Sequence, residues 1–272
     1  MKFLIKFFER FFRTDIEYLV RGSFWLTVGK IVSAGGAFIL SILYARYLPP
    51  SMYGDYRYVL SIFGALGIFA LPGLATSLTR SVARGYKKTF LDASRLIFLA
   101  SFLISLCGLV VAGWFLYHGK DALGWSFLVG SLLVPFAEGL GNWKAYYDGI
   151  KDFRRKTLYT IGNSFLYLAL MASAVAAYVF FDLPLFVSVS VLVGGYYIAL
   201  AAPNVFYSLR ASRMVPSTAT TEQGSIRYGL HLSLLEIPAV IANYLDAILI
   251  HTFLGPEALA VWSIAVAPPE QI

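Results

Sequence analysis

Four ionisable side chains lie inside long apolar stretches of the sequence, where a charge is costly. They are Lys30, Glu138, Glu236 and Asp246. Even on lenient insertion scales such a group costs about 2.5–3.5 kcal/mol at the centre of a spanning helix, so it usually faces a cavity or a partner of opposite charge. One lysine and three carboxylates in this setting predict a polar cavity for a charged ligand.

Two asparagines lie close to these groups in the sequence. We therefore take Lys30, Glu138, Asn142, Glu236 and Asn243 as candidate cavity residues. Lys30, Glu138 and Glu236 lie at similar depth on three different stretches, so a structural ion pair of Lys30 with either acid is an alternative. Asp246 is a candidate site for a coupling cation, or a group that caps the backbone of a neighbouring helix.

Signatures of covalent chemistry are missing from the sequence. There is no Walker A loop, and the three histidines, at 118, 231 and 251, lack the spacing of metal ligands. The only cysteine, Cys107, can form no disulfide framework. We predict a protein that is not an enzyme and that has no metal site and no cofactor.

The elements that carry these residues are apolar segments long enough to span a bilayer, which takes about 20 residues. Our predicted spans are 23–45, 56–78, 96–116, 123–143, 158–181, 184–207 and 229–253, and residues 258–272 begin another. Only helices or closed barrels cross lipid, and these segments are too continuous for barrel strands. The predicted fold class is all-α: a polytopic transmembrane bundle of about seven complete spans plus part of an eighth.

Positive charge alternates between the loops. Lysine and arginine number 18 in residues 1–22, 78–95, 144–157 and 208–228, but the alternate loops hold only Arg46, Arg57 and Lys120. Basic short loops stay cytoplasmic, so the pattern predicts a cytoplasmic N-terminus in a plasma (inner) membrane of a bacterium or archaeon. Basic residues beside spans suit anionic lipids, and we predict no nucleic-acid partner.

The ends and the middle of the chain suggest its domain organisation. Residues 1–22 alternate phenylalanine with charge and predict an amphipathic helix at the membrane interface. A shift of 206 positions sets Leu48 on Leu254 and Pro50 on Pro256, which indicates an internal repeat. The predicted domains are then a first six-helix half at 23–207, a cytoplasmic linker at 208–228, and the truncated start of a second half at 229–272.

Small and kinking residues add expectations about packing. Proline within a span permits a kink or hinge, which we expect at Pro72, Pro135, Pro203 and Pro238. The glycine pairs 35–36 and 194–195 are expected to permit close helix contact.

Four motifs in order resemble one protein family. Residues 46–54, 70–74, 80–85 and 253–259 resemble the polysaccharide-flippase (Wzx-like, O-antigen) family of the multidrug/oligosaccharidyl-lipid/polysaccharide exporter superfamily. The resemblance runs from about residue 15 to the end of the chain. Members of that family have more spans than this sequence, so the resemblance covers their N-terminal portion.

The resemblance implies a flippase for an undecaprenyl-diphosphate-linked oligosaccharide, the repeat unit of an O-antigen, capsule or exopolysaccharide. It would move this unit from the cytoplasmic to the outer leaflet by alternating access, coupled to a proton, a sodium ion or the membrane potential. Lys30 would bind the diphosphate, and Arg80, Arg84 and Lys144 would collect the headgroup at the cavity mouth. Anionic lipids and other polysaccharide assembly proteins are the expected partners.

Three alternatives remain from the sequence. A cation-coupled multidrug exporter of the same superfamily is favoured if the acids form an ion site without a basic cavity. A membrane enzyme of polysaccharide assembly needs a large external loop, and the longest one predicted here has about ten residues. An inactive fragment is the third alternative.

Overall fold

A computed structural model describes residues 16–181 and 183–270, with side chains described for 22–181 and 183–266. These ranges contain helices joined by short turns and no β-strand. The α-helices in chain order are α1 (Ile16–Tyr47), α2 (Pro50–Leu66), α3 (Gly73–Ala83), α4 (Thr89–Tyr117), α5 (Asp121–Glu138), α6 (Trp143–Gly149), α7 (Phe153–Phe181), α8 (Leu185–Ser212), α9 (Ser225–Leu254) and α10 (Pro256–Glu270).

The lengths of these helices confirm the predicted all-α membrane bundle. Among the described residues, six segments are long and apolar enough to cross a membrane, and α5 and α6 count together as one of them. The pair α2 and α3, bent by 47°, makes a seventh span if it is taken as one. The shorter α10 follows. The protein is a multi-pass membrane protein.

The bend between α2 and α3 arises from local backbone chemistry. A 3₁₀ turn at Gly67–Ala70 leads into Leu71, whose φ of 55° is left-handed, and then into Pro72. A proline has no N–H to continue the preceding helix, and a left-handed residue ends it. By contrast Pro135, Pro203 and Pro238 lie inside continuous helices.

The helices pack into one bundle around α5 and α8. Helix α5 contacts α4 and α8, α1 contacts α7, and α9 and α10 lie along the bent pair α2–α3. Fully buried side chains between them include Val59, Phe127 and Leu192. Helix α9 contacts both members of the bent pair, and its contact with α2 places the site described below.

The helix boundaries repeat at the spacing noted in the sequence. Helix α1 ends at Tyr47 and α2 begins at Pro50, while α9 ends at Leu254 and α10 begins at Pro256. In both copies a proline occupies the first turn of the second helix, where its missing N–H costs nothing. The division into two halves stays a prediction.

Two predicted boundaries fall at the edges of the helices. Residues 1–15 of the predicted interfacial helix lie outside the described residues, and residues 16–22 belong to α1. The predicted linker, 208–228, overlaps the ends of α8 and α9, and the turns between them run from 213 to 224. Gly224, with a φ of 79°, is the residue immediately before α9.

Candidate functional site

A polar cavity of about 310 Å³ lies within the bundle, at the contact between α2 and α9. That volume falls at the lower end of the range typical of small-molecule sites, about 300–1,000 Å³. The residues around it come from α1, α2, α5, α7, α8, α9 and α10: Tyr44, Tyr53, Tyr56, Arg57, Leu60, Ser61, Gly64, Glu138, Tyr167, Tyr196, Tyr197, Asn243, Tyr244, Ala247 and Trp262.

Arg57 supplies the positive charge of this cavity. It lies in α2 about 10 Å along the helix from Pro50, at 1.5 Å per residue. Its Nε is buried and has no hydrogen-bond partner, and its guanidinium forms no ion pair with any described residue. An unpaired buried cation is strongly unfavourable. The guanidinium is therefore available to an anionic or acceptor-rich ligand, and a phosphate suits its planar geometry.

Tyrosine rings form much of the cavity wall. The rings of Tyr44 and Tyr53 lie 5.2 Å apart, and the rings of Tyr44 and Tyr56 lie 6.1 Å apart. Tyr196 and Tyr197 extend the same cluster from α8. Rings that pack on one another are held in place, while their hydroxyl groups can donate and accept hydrogen bonds. The Tyr44 hydroxyl is buried without a partner of good geometry, so the wall offers positioned donors to a ligand rich in oxygen.

Two of the residues predicted for a cavity line this one. Glu138 is the last residue of α5. Turns at 139–142 interrupt the helix directly after it, and its side chain is exposed to the cavity. Asn243 comes from α9. The cavity therefore combines one guanidinium, one carboxylate and one amide with the tyrosine hydroxyls.

The other predicted cavity residues lie elsewhere. Lys30 is exposed on α1 and does not line the cavity, nor do Glu236 and Asp246 on α9. Asn142 precedes α6, and its amide nitrogen lies 3.5 Å from the carbonyl oxygen of Gly139. The structure thus brings Glu138 and Asn243 together with Arg57 and leaves Lys30 apart from them.

The residues predicted to collect a headgroup lie at the end of the bundle that carries the basic loops, which we call the basic end. Arg84 forms an ion pair of 2.8 Å with Glu222, and the guanidinium of Arg80 lies 5.0 Å from the ring centroid of Tyr228. Arg80 and Glu222 also border a smaller pocket of about 200 Å³ at the start of α9. Lys144 is exposed, with its ammonium 5.7 Å from the Trp143 ring centroid.

Arg57 is the charged cavity residue that sequence reasoning missed. It was counted among the charges of an external loop, although it is the second residue of the predicted span 56–78. Its neighbours Tyr53 and Tyr56 could have marked it, because a cation among aromatic residues inside a span meets the same criterion that singled out Lys30. Helix α2 begins at Pro50, six residues before the predicted span at 56–78, so Arg57 lies within the helix and inside the bundle.

The fold and the site together define a multi-pass helical membrane protein with a polar, cationic cavity inside its bundle. The comparisons with known proteins then give the family. The chain matches the family of polysaccharide biosynthesis proteins over residues 19–269, and it belongs to that family.

The chain is similar to an uncharacterized membrane protein of Methanocaldococcus jannaschii. The two are 22% identical over an alignment that covers 90% of this chain and 52% of the relative. The chain thus spans about half the length of this curated relative. No solved structure matches the chain.

Proposed function

We propose that the protein acts as a flippase that moves a lipid-linked oligosaccharide from the cytoplasmic to the outer leaflet by alternating access. Membership of the polysaccharide biosynthesis family supports the pathway. The observation that carries the proposal is the unpaired guanidinium of Arg57 inside a tyrosine-lined cavity. The substrate would be an undecaprenyl-diphosphate-linked repeat unit of an O-antigen, capsule or exopolysaccharide.

The cavity suits the two parts of such a substrate. Its diphosphate carries negative charge, which Arg57 would contact through two parallel N–H···O bonds. Its sugars carry hydroxyl groups on an apolar ring, and tyrosine offers both a hydroxyl and an apolar face. Glu138 and Asn243 supply further hydrogen-bond partners for sugar hydroxyls. No covalent bond changes in this process, so we propose that the protein is not an enzyme.

Orientation, coupling and partners are part of the same proposal. The basic end faces the cytoplasm of a plasma (inner) membrane, where the basic loops also contact anionic lipids. A proton, a sodium ion or the membrane potential drives the cycle, and other polysaccharide assembly proteins act on the same lipid.

The cation-coupled drug exporter is the second candidate, because the cavity also holds the carboxylate of Glu138. In an exporter of cationic compounds the carboxylate of Glu138 would bind the substrate, and the positive charge of Arg57 would repel the substrate. The two candidates therefore differ in which charge is required.

The test compares variants of the chromosomal gene in its native host, with surface polysaccharide and lipid-linked precursor as readouts. Arg57→Ala is expected to reduce surface polysaccharide at least tenfold and to raise the precursor, because about 1.4 kcal/mol of lost binding is already tenfold. Arg57→Lys keeps the charge without the planar fork and is expected to retain part of the activity.

Arg46→Ala is the matched control, since Arg46 lies at the same end of the bundle but contacts the ring of Tyr47 instead of the cavity. Lys30→Ala compares the two candidate cations directly. Normal polysaccharide from Arg57→Ala at normal protein abundance would contradict the proposal. Loss of drug resistance from Glu138→Gln with unchanged polysaccharide would favour the exporter.

A further inference from the structure

The bent pair α2–α3 is joined to α9–α10 at two separate places, one at each end of the bundle. We name them by their residues. The basic-end clasp consists of Ser77, Ser81 and Arg84 with Glu222 and Ser225. The far-end clasp consists of Asp55 and His251.

The basic-end clasp is a connected network of hydrogen bonds. Ser77 Oγ donates to the carbonyl oxygen of Ser225 at 2.7 Å and lies 2.9 Å from Ser225 Oγ. Ser81 Oγ donates to the Glu222 carboxylate and lies 2.6 Å from Ser225 Oγ. The hydrogen bond from Ser81 and the guanidinium of Arg84 hold the pKa of Glu222 below its usual range. Glu222 therefore carries the charge that the clasp requires.

Two flanking contacts hold the turn before α9 in the same place. The backbone N–H of Glu222 donates to Thr89 Oγ1 at 3.1 Å, and Thr221 Oγ1 donates to the carboxylate of Asp92. The start of α9 is thus fixed to α4 as well as to α3.

The far-end clasp is a short hydrogen-bond contact between a histidine and an aspartate. His251 Nε2 lies 2.9 Å from Asp55 Oδ1, and both side chains are more than four-fifths buried. The imidazole of His251 also stacks on the ring of Tyr58, with centroids 3.9 Å apart. This clasp joins the first turns of α2 to the last turn of α9.

Glycines allow the helices to approach closely beside each clasp. A Cβ on Gly54 would collide with the carbonyl oxygen of Pro256, and a Cβ on Gly73 would collide with the backbone of Leu232 and Ser233. Such contacts between small residues are typical of closely packed membrane helices. The contact between α2–α3 and α9–α10 is therefore tight at both ends and is built from backbone and small polar groups.

The cavity is lined from both chain segments that the clasps join. Along α2–α3 the cavity residues run from Tyr53 to Gly64, so Asp55 lies at their far edge and Ser77 lies beyond them towards the basic end. Along α9 the order is Ser225, then Asn243 and Ala247 of the cavity, then His251. Each clasp thus lies towards a different end of the bundle, with the cavity residues of α9 between them.

We propose that the two clasps are the gates of the cavity, and that they open alternately as α9–α10 moves against α2–α3. This inference rests on the proposed function, since alternating access needs a gate on each side. Both gates consist of hydroxyls and charged groups near the ends of spans, where water can replace the broken hydrogen bonds. An apolar seal of equal area would instead expose apolar surface to water when it opened, which is unfavourable.

A disulfide across the basic-end clasp tests the inference. In a Cys107→Ser background, the pair Ser77→Cys and Ser225→Cys joins two hydroxyl positions 2.9 Å apart. The matched control is Ser33→Cys with Ser164→Cys, whose hydroxyls lie 2.8 Å apart and join α1 to α7. The reporter is Ser61→Cys, a cavity residue, labelled by a membrane-impermeant thiol reagent added to one side at a time in oriented vesicles.

The oxidised 77–225 pair is expected to reduce labelling of residue 61 from the basic end at least tenfold and to stop polysaccharide export, and a reductant should restore both. The 33–164 pair is expected to leave labelling and export unchanged. Unchanged basic-end labelling across a complete 77–225 disulfide would overturn the gate assignment. This labelling readout needs no knowledge of the substrate, so it stands even if Arg57→Ala leaves polysaccharide normal and the proposed function fails.

Discussion

The two ends of the contact between α2–α3 and α9–α10 are built differently. At the basic end, serines, an arginine and a glutamate form a network that also reaches α4 through Thr89. At the far end, Asp55 lies within hydrogen-bond distance of His251, and the His251 imidazole stacks on the Tyr58 ring. Because a network holds its members in place together, each of its bonds is harder to break than an isolated one. The difference implies that the basic end is the more firmly closed of the two in this structure.

The largest expected effects come from crowding the glycines at the two ends. Gly54→Ala and Gly73→Ala each force a Cβ into backbone atoms, and we expect each to lower the free energy of unfolding by about 1–3 kcal/mol. Gly35→Ala is the control, because a Cβ there meets open space. Thermal unfolding of the purified protein measures the difference. Equal stability of the three variants would show that the close approach at both ends is unimportant.

A smaller effect is expected from removing one hydroxyl of the basic-end clasp. Ser225→Ala takes away the group that lies between Ser77 and Ser81, and we expect a loss of about 1 kcal/mol. Ser126→Ala is the control, since that hydroxyl bonds mainly to the carbonyl of Ala122 in its own helix. The same unfolding assay applies. If Ser126→Ala lost as much stability as Ser225→Ala, the hydrogen-bond network would contribute no more than an ordinary hydroxyl within a helix.

The smallest expected effect is that of pH on the basic end. The pKa of Glu222 is lowered by its hydrogen bond from Ser81 and by Arg84, with Arg80 adding to the effect. A lowered pKa gives stability that is present above the ordinary carboxyl range and is lost as pH falls through the lowered value. Asp92, held to Thr221, is the other acid at this clasp.

We therefore expect basic-end labelling of Ser61→Cys, divided at each pH by the labelling of a fully exposed thiol, to be constant from about pH 7 to about pH 5 and to rise only below the usual carboxyl range. The division is needed because the thiolate is the reactive form of cysteine and its fraction falls as the pH falls. Glu222→Gln should remove that rise. An increase between about pH 7 and about pH 5 would indicate that another group controls the gate.

Hydrophobic length predicted the bundle well, because the need to bury a backbone in lipid leaves helices as the only choice for such segments. The predicted spans fall inside the observed helices to within a residue, with two exceptions. The span at 56–78 is bent at Leu71 and Pro72, and the span at 123–143 is interrupted by turns at 139–142. That bend depends on one left-handed residue, whose conformation a hydropathy pattern does not encode. Pro72 was named as a hinge together with Pro135, Pro203 and Pro238. Pro72 lies at the 47° bend, whereas the other three lie inside continuous helices.

The site was only partly predictable from the sequence. A charge inside a span indicates a cavity or a partner, and this reasoning selected Glu138, with Asn243 added as a nearby polar group. Both line the cavity that the structure shows. The same reasoning could not distinguish Glu138 and Asn243 from Lys30 or Glu236. Which face of a helix lines a cavity depends on how neighbouring helices pack, and the sequence pattern does not give that packing. The same limit applies to glycine: Gly35 and Gly36 meet open space, whereas Gly54 and Gly73 lie at tight contacts.

Labelling from each side in two clasp variants tests directly whether the two clasps are the gates of the cavity. In the Cys107→Ser, Ser61→Cys background, Glu222→Ala weakens the basic-end clasp and Asp55→Ala weakens the far-end clasp. We expect Glu222→Ala to raise labelling of residue 61 several-fold from the basic end only. We expect Asp55→Ala to raise labelling of residue 61 several-fold from the opposite side only. If both variants raised labelling from the same side, or if neither changed it, the two clasps would not be the gates of this cavity.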